Sequence, residues 1–279
     1  MKFYKKKILI FSLARSGSTS MMNILNIHKS VYAISEPFNV GNKENYRSLK
    51  KGLISDKEIA NEQELDKSLK KLFGEFNCIK HIWHPAGFPF LEKNPEYAFD
   101  DTVTLNEVLL SKFDFVIFLK RKNYLKRIVS VLMSNQTEFW EPTRNPDDLD
   151  EQIQKSVNYN YAPLNMEAIK WHLEFEDFYI NYFREALIKS QVKYREIFHE
   201  DFIANKCHFE IKKDFFFKLL EFLELPNNFN HDQILLIQDY LGFKLKLNSA
   251  SSYNKIPNIQ ELESEFGSDE KGWIFKAVF

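Results

Sequence analysis

Short apolar runs alternate with polar stretches of helical period along most of the chain. Runs of strand length lie at 8–11, 31–34, 77–84, 113–119 and 192–198. Between them, apolar residues recur at helical spacing. Met21, Leu25 and His28, with Met22 and Ile24 beside them, follow the first run. Ile59, Leu65, Leu69 and Leu72 mark an amphipathic helix over 56–73, and a short helix is expected at 104–110. Leu125, Ile128, Val129, Leu132 and Met133 form one face after the fourth run. Residues 166–190 predict a long helix whose Trp171, Phe175, Phe178, Tyr179 and Phe183 read as core. Helices are also expected over 215–223 and from Ile259. Strands alternating with helices predict an α/β protein: a P-loop-like open parallel sheet flanked by helices on both faces. No repeat and no linker divides the chain, so one domain over 1–279 is expected. Within it, 135–165 reads as a loop suited to folding over a site, and 244–279 as a C-terminal loop and helix.

Composition narrows the function classes. With 279 residues the chain buries a full core, and its net charge of −1 gives no global field for nucleic acid or an anionic membrane. Any phosphate-binding charge must be local. Two cysteines, Cys78 and Cys207, make neither a disulfide framework nor a metal cluster and read as buried thiols in a reducing compartment. No apolar stretch approaches the roughly 20 residues of a membrane span. The apolar run after Lys5–Lys7 is too short for a signal-peptide core, so the expected location is cytoplasmic.

The candidate chemistry sits at strand ends. Arg15-Ser16-Gly17-Ser18-Thr19-Ser20 connects the first strand to the first helix. One glycine permits a tight turn, hydroxyls add donors, and backbone N–H groups at a helix start receive an anion. Arg15 supplies a fixed charge and a planar fork suited to phosphate. The run is not a Walker A loop, which needs a lysine after its second glycine. Glu36, held extended by Pro37, falls at the end of the second strand, where open α/β sheets bind ligands. In the third run, alternation puts Cys78, Lys80, Ile82 and His84 on one face and Ile79, His81 and Trp83 on the other. His81 and His84 thus point apart, against a two-histidine metal site. Lys80 and His81 each read as either structural or substrate-facing. Lys120-Arg121-Lys122-Asn123 closes the fourth strand, with Asn123 as a good N-cap. Asn123, Arg127, Ser130 and Ser134 share a second stripe of the helix that follows. Two anion sites in one chain suggest a ligand with two phosphate-like groups.

Together these residues resemble the sulfotransferases that use 3′-phosphoadenosine-5′-phosphosulfate (PAPS). RSGST looks like the family's 5′-phosphosulfate loop, and FLKRKNYLKRIVS like its 3′-phosphate motif. Ser35-Glu36-Pro37-Phe38 resembles the carbohydrate and bacterial nodulation branch, and softer matches cover most of the chain. The resemblance implies PAPS as donor co-substrate, held by Arg15, Ser16, Gly17, Ser18, Thr19 and Ser20 and by Arg121 and Ser130, with Lys246 of the basic stretch 244–258 added. It implies no metal. Arg121 precedes Ser130 by nine positions where the common spacing is eight, so either Arg121 or Lys122 supplies the charge. By analogy with the carbohydrate branch Glu36 is the general base, with His81 in reserve. The implied partner is a hydroxyl-bearing sugar or glycolipid, with no nucleic acid. A P-loop-like nucleotide kinase and a non-catalytic nucleotide-binding relative are the alternatives.

Overall fold

The structure is a computed structural model that describes residues 6–40, 52–53, 57–84, 89–90, 98–140, 146–202, 209–241 and 250–276. The chain packs as two compact units, Met1–Lys120 with Tyr179–Leu241 and Arg121–Phe178 with Gly242–Phe279. The expectation of a single domain carried no sign of this division, because no linker marks it.

The first unit is an open sheet of five parallel strands. They are β1 (Ile8–Leu13), β2 (Ala33–Ser35), β3 (Cys78–Trp83), β4 (Phe115–Lys120) and β5 (Lys193–Phe198), in the order β2-β3-β1-β4-β5. The three central strands are buried throughout; β1 and β4 accordingly read as apolar runs, whereas β3 also buries Lys80 and His81. β1 extends two residues beyond its apolar run. Ser12 pairs with Ile82 and Leu119 in the ladder and is itself buried, a polar residue that apolar patterning passes over.

Helices cover both faces. α1 (Ser18–Leu25) follows β1, and α2 (Glu62–Leu72) and α3 (Ala98–Ser111) flank β3 in the chain. α2 starts later than periodicity suggested because Asn61 caps it. The Asn61 side chain accepts from Glu64 N, and the Glu64 carboxylate accepts from Ala60 N, so two amides at the helix start are satisfied. After β4 come α4 (Tyr124–Thr137), α5 (Pro146–Asn158) and α6 (Met166–Ser190). After β5 come α7 (His199–Phe202), α8 (Phe209–Phe222) and α9 (His231–Leu241). The chain closes with α10 (Ala250–Tyr253) and α11 (Ile259–Phe266).

On one face of the sheet, Ile8, Ile10, Cys78, Ile117 and Leu119 pack against Met21 and Leu25 of α1, Leu219 and Leu223 of α8 and Ile237 of α9. On the other, Phe11 meets Phe183 of α6 edge-on, and His81 bonds to Asn106 of α3. In the second unit, Leu125, Ile128, Val129 and Met133 of α4 pack with Tyr161, Leu164, Ile169, Ile256, Ile259 and Leu262.

The expected loop over 135–165 is corrected. Residues 135–137 end α4, and Pro146–Asn158 is helical. Pro146 occupies the first helical position, where its missing N–H costs nothing, and Leu149, Ile153 and Val157 recur every four residues. α9 was also not foreseen, although Asn230 and Gln233 exchange capping bonds at its start. Cys78 is buried, and burial pushes its thiol up to about 12, so it is an inert core residue. Cys207 lies outside the described residues. Among the described residues no helix is long and apolar enough to cross a membrane.

Candidate active site

The β1–α1 turn is the centre of the site in the first unit. Strand order reverses around β1, and in open α/β sheets the crevice at that point, beyond the carboxyl ends of the strands, takes the ligand. Arg15 (φ 62°) and Gly17 (φ 86°) are both left-handed, which turns the chain sharply from strand into helix. Gly17 caps α1 and has no side chain with which to accept from the amides of the first turn. Among the described residues, the hydroxyls of Ser12 and Ser16 are fully buried with no hydrogen-bond partner. A buried unpaired hydroxyl costs free energy, and a bound polar ligand removes that cost.

Lys80 ties this turn to Glu36. It lies in mid-β3, paired in register with Ile10 and Ser35, and is only 1% exposed. Its Nζ donates to Thr19 Oγ1 at 2.9 Å and lies 2.9 Å from Glu36 Oε1. The other oxygen, Glu36 Oε2, accepts from Asn39 Nδ2 at 3.1 Å. Glu36 N donates to Lys80 O at 2.8 Å, which continues the β2–β3 ladder one residue past the strand. Glu36 itself is left-handed (φ 44°) and not extended as the following Pro37 suggested, a conformation that a non-glycine residue adopts only under constraint from its surroundings. One buried ammonium thus links a hydroxyl of the anion-type turn to a half-buried carboxylate. The sequence left Lys80 between structural and chemical roles. The signal for this contact was there: a lysine in the middle of a mostly apolar strand.

His81 is placed differently. It lies on the opposite face of β3, stacked between Phe11 at 5.7 Å and Phe90 at 5.4 Å, with Nε2 2.8 Å from Asn106 Oδ1. Burial pushes its pKa down to about 4, against the smaller opposing pull of the Asn106 bond. A ring neutral down to that pH is a weak proton acceptor, and it is not gathered with Glu36. The reserve-base role expected of His81 is therefore withdrawn.

In the second unit, Arg121 is half-buried and Lys122 is exposed. Ser130 is buried in α4, and its carbonyl accepts from Ser134 Oγ at 2.9 Å. The rest of the polar stripe is structural. Asn123 caps α4 by accepting from Lys126 N at 2.9 Å and donates to Trp273 O at 2.7 Å. Arg127 is buried and donates to Glu176, whose same oxygen lies 2.9 Å from His172 Nδ1. Burial pushes the Glu176 carboxyl up, but Arg127 and His172 outweigh it and hold the group below its usual range. Neither Glu176 nor His172 was singled out from the sequence, where they are lost among the aromatics of a core helix. Lys246 lies outside the described residues.

No protein-family model matches the chain, and no curated protein matches it. Functional inference therefore rests on the residues themselves. Among the described residues no three histidine, cysteine, aspartate or glutamate side chains form a group that could hold a metal ion.

Proposed function

We propose that this protein is a sulfotransferase that moves a sulfuryl group from PAPS to a hydroxyl of a carbohydrate or glycolipid. The observation that carries the reading is the Lys80 bridge, which sets a carboxylate one ammonium away from an anion-type turn. The first loop also lacks the lysine that follows the second glycine of a Walker A loop, which favours this reading over a metal-nucleotide kinase.

PAPS, when bound, supplies an activated sulfur whose bridging oxygen leaves on the 5′-phosphate. Arg15 and the amides of Gly17, Ser18 and Thr19 take the 5′-phosphosulfate and the negative charge that builds as the S–O bond breaks. Removing one such donor commonly costs ~10²–10³ in rate. Glu36 accepts the proton of the acceptor hydroxyl while the hydroxyl oxygen forms the new bond to sulfur, a step worth roughly 10²–10⁴-fold. Lys80 holds the Glu36 carboxylate and the Thr19 hydroxyl in place before reaction, so positioning replaces covalent chemistry, as in phosphoryl transfer. Arg121 and Ser130 take the 3′-phosphate, and adenosine 3′,5′-bisphosphate is the product.

Glu36→Gln tests the central role. The variant is expected to bind adenosine 3′,5′-bisphosphate within about threefold of wild type but to lose about 10²-fold or more in transfer from ³⁵S-labelled PAPS. Near-normal transfer by that variant contradicts the mechanism.

A further inference from the structure

The aromatic residues of α6 were all expected in the core, and the helix buries only some of them. Ile169, Tyr179, Ile180, Phe183 and Leu187 are buried and mark its inward side. On the opposite side of the same helix Phe178 is 62% exposed and Phe175 38%, while Trp171 and Tyr182 are half-buried. The Trp171 and Phe175 rings lie 5.0 Å apart, so the apolar surface is continuous there. Trp171, Phe178 and Tyr182 recur at helical spacing and line one outward stripe. Glu167 and Lys189, both exposed, extend that stripe, each eleven residues or about three turns from Phe178. Neighbouring rings left in water along a 25-residue helix form an apolar patch, and a patch rimmed by charges marks an interaction surface.

We propose that a second copy of this chain docks on that face, the two α6 helices lying antiparallel about a two-fold axis at Phe178. The charge pattern selects this partner. A two-fold interface must be self-complementary, because each residue meets its counterpart across the axis. In an antiparallel pair centred on Phe178, the two Phe178 rings meet on the axis. Glu167 of each copy then faces Lys189 of the other, so opposite charges meet at both ends of the contact. Glu174 falls opposite Tyr182, an acid against a phenol. Within one chain Lys189 lies 4.0 Å from Glu185, an exposed contact that holds it weakly and leaves its ammonium able to reach a second carboxylate. A lipid surface fits the face less well, since Glu167, Glu174 and Glu185 along the stripe repel anionic headgroups. The inference is independent of the sulfotransferase reading.

Sedimentation velocity of the full chain at low salt, over roughly 1–100 μM, tests the assignment. Wild type is expected to pass from monomer to dimer as concentration rises. Phe178→Glu should raise the dimer dissociation constant about tenfold or more, and Glu167→Lys about threefold or more. Adding Lys189→Glu to Glu167→Lys should return the constant to within about twofold of wild type, because the swap restores both ion pairs. Wild type that stays monomeric at the highest concentration overturns the proposal. So does a dimer that Phe178→Glu leaves intact, or a charge swap no tighter than Glu167→Lys alone. Flotation with anionic phosphatidylserine vesicles covers the other occupant: a monomer that floats with them, and ceases to in Phe178→Glu, assigns the face to lipid and overturns the dimer.

Discussion

At the scale of single residues, the first site is made by backbone conformation as much as by side chains. Gly17, at φ 86°, lets the chain turn into α1 without placing a side chain over the helix start. An alanine there adopts the same conformation at a cost of about 1–2 kcal/mol. Gly17→Ala is accordingly expected to lower the denaturation midpoint with an unchanged slope and to weaken nucleotide binding. An unchanged midpoint would show that the turn tolerates a side chain. Arg15, the hydroxyls after it and Glu36 stood out in the sequence as small polar residues after an apolar run and as an acid at a strand end before proline. The Lys80 bridge was only half legible. Its face follows from alternation, but the two partners come from elements 61 and 44 residues away in sequence. His81 misled for the converse reason: nothing in a strand of six residues distinguishes a ring facing a ligand from one stacked between phenylalanines.

At the scale of elements, the ion pair between α4 and α6 governs stability in the second unit. Arg127 and Glu176 are both almost fully buried, so deleting the carboxylate strands a buried cation, at a cost of about 3–5 kcal/mol. Glu176→Gln should show that loss near neutral pH in denaturant titrations. The carboxyl is held below its ordinary value of 4.5, so its contribution is complete above that pH and declines as pH falls further. The stability gap between wild type and Glu176→Gln should therefore narrow below about pH 4.5, and a gap that is constant with pH would contradict the ion-pair account. The elements themselves were read with uneven success. Strands buried on both faces announce themselves as apolar runs, and α6 is long enough for its period to be plain. α5 was hidden by its prolines and acids, and α9 by its position between loop-like polar stretches. Helix starts moved wherever a cap, such as Asn61, overrode the apolar period.

At the scale of the whole molecule, the parallel sheet with order β2-β3-β1-β4-β5 accounts for where the candidate chemistry gathers. Each successive strand delivers its last residues to the same edge: the Arg15–Gly17 turn after β1, Glu36 after β2 and Lys120 at the end of β4. That arrangement was legible from alternation of strand and helix alone. The division into two units was not, since the chain crosses between them at 120, 178 and 241 without a change in composition that marks a boundary. The proposed ligand is one nucleotide with two phosphate groups. Its most direct test is a calorimetric titration of the wild-type protein in metal-free buffer with adenosine 3′,5′-bisphosphate, set beside a titration with Mg-ATP. The account predicts saturable binding of the bisphosphate without Mg²⁺, tighter than that of Mg-ATP; a protein that ignores the bisphosphate and takes Mg-ATP contradicts it.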